Sequence, residues 1–130
     1  LILFNYLFSN GDAHLKNFSL IQTALGDYKL SPAYDLLNSR IHIEDRDFAL
    51  DDGLLPPARS KGKVHEIFFT LGEMAGMNKK VVDRSFSLLT SKKEEVLRLI
   101  SQSYLSDTLK RHYKQAYLTR LNKLSRHKNR

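Results

Sequence analysis

The stretch Asn10-Gly11-Asp12-Ala13-His14-Leu15-Lys16-Asn17, with Asp35 downstream in Pro32-Ala33-Tyr34-Asp35-Leu36-Leu37, organises the reading of this chain. An Asp followed five residues later by an Asn, then a second Asp beyond a short hairpin pattern, supplies the parts of a phosphoryl-transfer site. The obstacles in that chemistry are the charge on the phosphates and the orientation of the attacking hydroxyl, so positioning and electrostatics carry most of the catalysis. Asp12 is expected to accept or orient the hydroxyl proton. Asn17 is expected to offer its side-chain oxygen to Mg²⁺, and Asp35 its carboxylate to the same region. Mg²⁺ prefers oxygen ligands and keeps waters and substrate phosphates in its shell, so two protein ligands suffice. Lys16 can meet a phosphate oxygen as a point charge. His14 reads either as a loop-packing residue or as a substrate contact. Asp and Asn in a Gly-containing loop are commonly turn formers; the flanking segments are what lift the pattern above that.

Upstream lies an apolar run, Leu1, Ile2, Leu3, Phe4, Tyr6, Leu7 and Phe8. It predicts the last two turns of a buried helix, broken where Asn10-Gly11 tolerates positive φ. The run is too short to span a bilayer and lacks the flanks of a signal peptide, so no membrane association is expected. Downstream, residues 18–22 and 28–30 are short apolar segments around Thr23-Ala24-Leu25-Gly26-Asp27, the length and glycine content of a hairpin connection. Ser31-Pro32 ends the second strand, because proline lacks the ladder donor and restricts its predecessor. Asp35 is thereby expected just past a strand exit. From 36 to 63 no period is sustained, acids cluster at Glu44, Asp45, Asp47, Asp51 and Asp52, and Gly53 and Pro56-Pro57 punctuate the segment. A long loop with a strand at 48–50 is expected there.

Beyond Lys63 the pattern becomes helical. Val64, Ile67, Phe68, Leu71 and Ala75 share a helix face that Gly76 is placed to end. Asn78 can cap a second helix with Val81, Val82, Ser85, Phe86 and Leu89 inward. Ser91 with Glu94 fits a capping box for a third, with Val96, Leu97, Leu99 and Ile100 as its apolar face. Ser106 opens a fourth, in which Leu109, Tyr113, Ala116, Tyr117, Leu121 and Leu124 recur every three or four residues. The expected architecture is mainly α with a small β hairpin, in one domain over 1–130.

The net charge of +7 comes from the C-terminal segment. All 14 acids and 13 of the 21 Lys/Arg lie in 1–107, whereas 108–130 holds eight basic residues and no acid. Arg111, Lys114, Arg120, Lys123, Arg126, Lys128 and Arg130 form either a solvated face or a surface for a polyanion. The absence of Cys excludes disulfides, thiol catalysis and Cys-ligated zinc. It agrees with a reducing compartment, and a cytoplasmic location is expected.

The segment from Phe4 through Asp12, His14, Lys16 and Asn17 to Leu20, followed by Tyr28-Lys29-Leu30-Ser31-Pro32-Ala33-Tyr34-Asp35-Leu36-Leu37, closely resembles the C-terminal kinase core of HipA-like toxins. These are serine/threonine protein kinases of bacterial toxin–antitoxin systems. The joint motif Asp-x-His-x-Lys-Asn with Pro-x-Tyr-Asp downstream carries the resemblance over the first 37 residues; the remainder is similar in length and pattern, including Ser103-Tyr104-Leu105-Ser106. The resemblance implies the helical C-lobe of a protein-kinase-like fold, with Asp12 as catalytic base and Asn17 and Asp35 as ligands of Mg²⁺ and ATP. It also implies a protein substrate in translation, such as an aminoacyl-tRNA synthetase, and a helix-turn-helix antitoxin through which DNA is engaged. Relative to eukaryotic kinases, Asn10-Gly11 replaces the His-Arg before the base and Leu36-Leu37 replaces the Phe-Gly after the metal Asp. The HipA-like group shares both differences. A Gly-rich phosphate loop, a strand lysine paired to a helix glutamate and a hinge segment do not occur in the 130 residues. They are expected in an N-terminal lobe preceding Leu1, without which the isolated chain is expected to be inactive.

Two other readings compete. A small-molecule kinase of the aminoglycoside or choline type uses the same Asp, Asn and downstream Asp, although the Ala13-His14-Leu15-Lys16 interior favours the HipA-like pattern. A non-catalytic helical module would instead bind nucleic acid or an antitoxin through the basic last helix, with an affinity that falls steeply with salt.

Overall fold

The computed structural model describes residues 1–41 and 53–125. The strand expected at 48–50 and the cations Arg126, Lys128 and Arg130 lie outside the described residues. Within them the fold is mainly α with one two-stranded antiparallel hairpin, as the sequence pattern predicts.

Helix α1, Ile2–Leu7, buries Leu3, Tyr6 and Leu7 and stops at Phe8. Strands β1, Leu20–Gln22, and β2, Tyr28–Leu30, pair with Leu20 opposite Leu30 and Gln22 opposite Tyr28. Both strands are exposed throughout, so the hairpin is held by its ladder and its base rather than by the core. At that base Ser31 N–H donates to the Ser19 carbonyl at 2.8 Å and the two hydroxyls lie 2.9 Å apart.

Helix α2, Val64–Met74, opens with the Glu66 carboxylate accepting from Lys63 N–H at 3.1 Å. It closes as foreseen at Gly76, which sits at φ 66°. Gly76 N–H donates to Glu73 O and Met77 N–H to Gly72 O, both at 2.9 Å, the paired bonds of a Schellman end. Asn78 caps helix α3, Lys79–Thr90, by accepting from Lys80 N–H at 2.9 Å. Ser91 departs from expectation: it ends α3, its hydroxyl donating to Leu88 O at 3.1 Å, and Lys92 precedes helix α4, Lys93–Gln102. Two residues between the helices leave Ser91 within reach of the carbonyls behind it, and that local bond wins over a cap ahead.

Helix α5, Asp107–Ser125, is the post around which the others pack, touching α1, α2, α3, α4 and the 3-10 turn Ser39–Ile41. Its Tyr117, Leu121 and Leu124 join Leu3, Tyr6, Leu7 and Phe68 in one apolar cluster. Edge-to-face contacts of Tyr6 with Phe68 at 5.6 Å and Phe68 with Phe86 at 6.0 Å extend it to α3. Val81 and Leu99, expected inward, are 49% and 54% exposed, because their neighbours Val82 and Ile100 hold the buried stripe and adjacent helix positions point about 100° apart. Val82 fits there because it faces Gly72 of α2: a Cβ on that glycine would stand 2.7 Å from the valine Cγ2.

Arg120 also departs from the sequence reading. It is 2% exposed, its Nη1 donates to the Tyr6 carbonyl at 2.7 Å, and its guanidinium lies 4.8 Å from the Tyr6 ring centre. Position 120 follows Ala116 and Tyr117 by four and three residues, which puts it on the buried stripe despite its charge. It therefore cannot belong to a polyanion-binding face. Arg111 and Lys114 are exposed, as that face requires.

Candidate active site

The site is built where α1 runs out. Ser9 takes a left-handed φ of 56°, which turns the chain back so that Asn10 is buried and Gly11 follows. This turn is strapped to residue 39 of the returning chain. Ser39 N–H donates to Ser9 O at 3.1 Å, its hydroxyl donates to the same oxygen at 3.2 Å, and Gly11 N–H donates to that hydroxyl at 2.6 Å. Beyond it, Asp12 N–H donates to the Asn10 side-chain oxygen at 3.3 Å and His14 N–H to Asp12 O at 2.9 Å. A 3-10 turn, Leu15–Asn17, completes the loop.

The hairpin then returns the chain so that Asp35 arrives beside Asn17. The Asn17 amide nitrogen donates to the Asp35 carboxylate at 2.5 Å, across eighteen residues of sequence. Tyr34 OH donates to the Lys16 carbonyl at 2.9 Å, a second tie between the two arms. Asp35 holds a left-handed φ of 56°, unusual for a residue with a Cβ. Its carbonyl accepts from the Asn10 side chain at 2.9 Å.

The structure thus brings Asn17 and Asp35 into contact and sets Asp12 in the same loop with its side chain exposed. Lys16 and His14 are exposed on that loop as well. The Asn17 amide stands differently from the expectation that its oxygen faces the metal region. That oxygen accepts from His14 N–H at 3.0 Å while the nitrogen faces Asp35. A carboxamide oxygen has a second lone pair and a carboxylate several, so hydrogen bonding leaves both side chains with acceptor capacity. Neighbouring oxygen donors on exposed side chains are the chemistry a hard cation such as Mg²⁺ takes. For both to hold one ion, the Asn17 amide would have to turn its oxygen toward Asp35 and give up its present hydrogen bond to that carboxylate. Among the described residues no group of three or more His, Cys, Asp or Glu is placed to hold a metal.

Sequence reasoning missed the residues that shape this loop. Asn10 was expected only to break a helix, and Asn5 and Ser39 carried no expectation. All three are buried, and Asn10 Nδ2 lies 3.4 Å from Asn5 Oδ1. One mark was available: Asn5 is a polar residue inside an apolar helical run, where an amide is kept only if it is hydrogen-bonded.

An exposed Asp on a strapped loop, followed by an Asn held against a second Asp, offers the residue types that phosphoryl transfer uses. The comparisons bear on the family. The family model described as "HipA-like C-terminal domain" matches residues 1–97. A protein of Haemophilus influenzae named "Putative kinase" is 30% identical over 121 residues, covering 80% of this chain and 34% of the relative. One of Sinorhizobium fredii named "Putative kinase Y4dM" is 50% identical over 48 residues, 37% of this chain and 12% of the relative. The chain belongs to the HipA-like C-terminal domain family. It spans only about a third or less of the curated relatives it matches. No helix among the described residues is long and apolar enough to cross a membrane.

Proposed function

We propose that this chain is the catalytic-loop and metal-binding lobe of a serine/threonine protein kinase, a cytoplasmic toxin of a toxin–antitoxin pair, using ATP and Mg²⁺. The observation that carries the reading is the contact between Asn17 and Asp35, which sets two oxygen-bearing side chains together one short turn from Asp12. Asp12 takes the proton of the substrate serine hydroxyl as that oxygen bonds to the γ-phosphorus and the bond to the β-phosphate oxygen breaks, releasing ADP. Mg²⁺, when bound, neutralises phosphate charge and orients the nucleotide for in-line transfer. Asn17 and Asp35 hold it, and Lys16, exposed in the same loop, meets a phosphate oxygen as a fixed cation. On this reading the acceptor is a protein of translation, such as an aminoacyl-tRNA synthetase, and a helix-turn-helix antitoxin that contacts DNA in its own right neutralises the kinase.

The 130 residues hold six glycines and no Gly-rich phosphate loop, so the chain by itself is expected to bind Mg²⁺-ATP weakly and not to turn over. The test is transfer of labelled γ-phosphate by the longest natural polypeptide containing the chain, with acceptors profiled. Label on a protein serine, lost on Asp12→Asn, supports the reading. Label on a small alcohol or sugar would assign a small-molecule kinase instead, and no transfer by the unmodified polypeptide would overturn it.

A further inference from the structure

Asn10 is 4% exposed and lies against a second buried amide, Asn5 of α1. A buried carboxamide is tolerated when both of its ends are satisfied, and here each end serves a different arm of the site. The Asn10 oxygen accepts from Asp12 N–H at 3.3 Å. Its nitrogen donates to the Asp35 carbonyl at 2.9 Å and faces the Asn5 oxygen at 3.4 Å. A reversed amide would set its oxygen against the Asp35 carbonyl, so the orientation is fixed. One side chain therefore joins the peptide of Asp12 to the peptide of Asp35.

The Asp35 end of this bridge works against a conformational preference. A residue with a Cβ at φ 56° sits in a sparsely populated backbone region, where its Cβ crowds the following carbonyl. The bond from Asn10 to its carbonyl and the bond from Asn17 to its carboxylate hold it there. Ser39 restrains Ser9 and Gly11 on the other side of Asn10 but reaches neither carboxylate-bearing residue. Asn10 is thus a side chain through which the placement of one Asp is felt by the other, joining their two peptides where Asn17 joins the His14 peptide to the Asp35 carboxylate.

We infer that Asn10 is a positioning residue that couples Asp12 to Asp35, setting the proposed base and the proposed metal-binding carboxylate as one unit. The functional consequence rests on the roles proposed above for those two residues; the coupling itself does not. Losing Asn10 frees Asp35 from its left-handed backbone and Asp12 from its anchor, so metal use and turnover deteriorate together.

The test uses the longest natural polypeptide containing the chain, with Asn10→Ala removing both bonds. Asn10→Asp keeps an acceptor for Asp12 N–H and removes the donor to Asp35. Gly76→Ala, remote from the loop, controls for a comparable loss of stability. In Asn10→Ala the half-saturating Mg²⁺ concentration is expected to rise about tenfold and kcat to fall about tenfold, the scale of one lost hydrogen bond at each Asp. Asn10→Asp is expected to shift the Mg²⁺ dependence more than kcat. Gly76→Ala is expected to lower Tm and leave both constants in place. Unchanged constants in both Asn10 variants, after correction for folded fraction, would overturn the inference.

A readout without catalysis separates this inference from the kinase reading. The amide–Hα coupling and Cα shift of Asp35 report its left-handed backbone by NMR, and the Asp12 amide shift reports its bond to Asn10. In Asn10→Ala both are expected to change, and in Asn10→Asp the Asp35 signal alone. If the unmodified polypeptide transfers no phosphate, the kinase reading falls while these signals still decide the coupling. An Asp35 signature that survives in both variants overturns it.

Discussion

The loop cluster around Asp12 and Asp35 and the helical body beneath it are held by different forces. The body, from α1 to α5, is an apolar cluster in which Tyr117 and Leu7 are wholly buried. Such packing is non-directional and grows with the area removed from water. The loop cluster has little apolar contact of its own. It is held by single hydrogen bonds from Asn10, Asn17 and Ser39 to particular backbone or carboxylate atoms. The contrast explains how the side chains assigned to chemistry stay exposed while the peptides that carry them are fixed. Arg120 joins the two regions, since its guanidinium bonds the Tyr6 carbonyl at the end of the helix from which the loop departs.

The sharpest way to break the site and spare the body is Asp12→Asn. It removes an exposed carboxylate, so phosphoryl transfer by the full polypeptide is expected to fall by about 10²–10⁴-fold. The folding free energy should stay within about 0.5 kcal/mol of the parent, read by urea unfolding. A variant that loses activity only in proportion to lost stability would contradict the separation.

Arg120→Met attacks the link between the regions. It retains most of the side-chain volume and leaves the Tyr6 carbonyl without its 2.7 Å partner. A loss of about 1.5–3 kcal/mol is expected by chemical denaturation, as for a hydrogen bond to a charged group. A loss below about 0.5 kcal/mol would show that α1 is positioned by its apolar contacts alone.

Gly72→Ala tests the body by itself. The new methyl would meet Val82 at 2.7 Å, and overpacking of that kind costs about 1–3 kcal/mol, offset by up to about 1 kcal/mol of helix propensity. Val82→Ala in the same chain should restore part of the loss, while an additive double mutant would rule out the contact as its cause.

The smallest effect expected is on alkaline stability. Burial pushes the Tyr117 phenol above its usual 10.0, helped by the charge of Glu94; burial also raises Tyr113, with the Asn38 side chain opposing. Both phenols are favoured neutral in the folded state. Their contribution is therefore complete below pH 10 and is lost as pH rises above 10 through the folded values. Urea unfolding between pH 8 and 11 should show that decline, shallower in Tyr117→Phe.

Much of this molecule was legible because the signals act over a few residues. The hairpin, the stop at Gly76, the cap at Asn78 and the position of Asp35 just beyond a strand all follow from turn, cap and proline chemistry within one or two turns of chain. The helix faces were legible as stripes and uncertain at their edges, which is where Val81 and Leu99 turned outward. Ser91 shows the limit of a local rule, since the same hydroxyl could serve the helix behind it or the one ahead.

What the sequence determined by itself is the element order and the identity of the oxygen-bearing side chains at 12, 17 and 35, because propensity, capping and motif spacing are properties of neighbouring residues. Tertiary structure alone decided that Arg120 is buried, that the Asn17 nitrogen faces Asp35, and that Asn10 joins Asp12 to Asp35. Each of those depends on a partner brought from elsewhere in the chain, and a hydrogen bond is settled only when both atoms are in place.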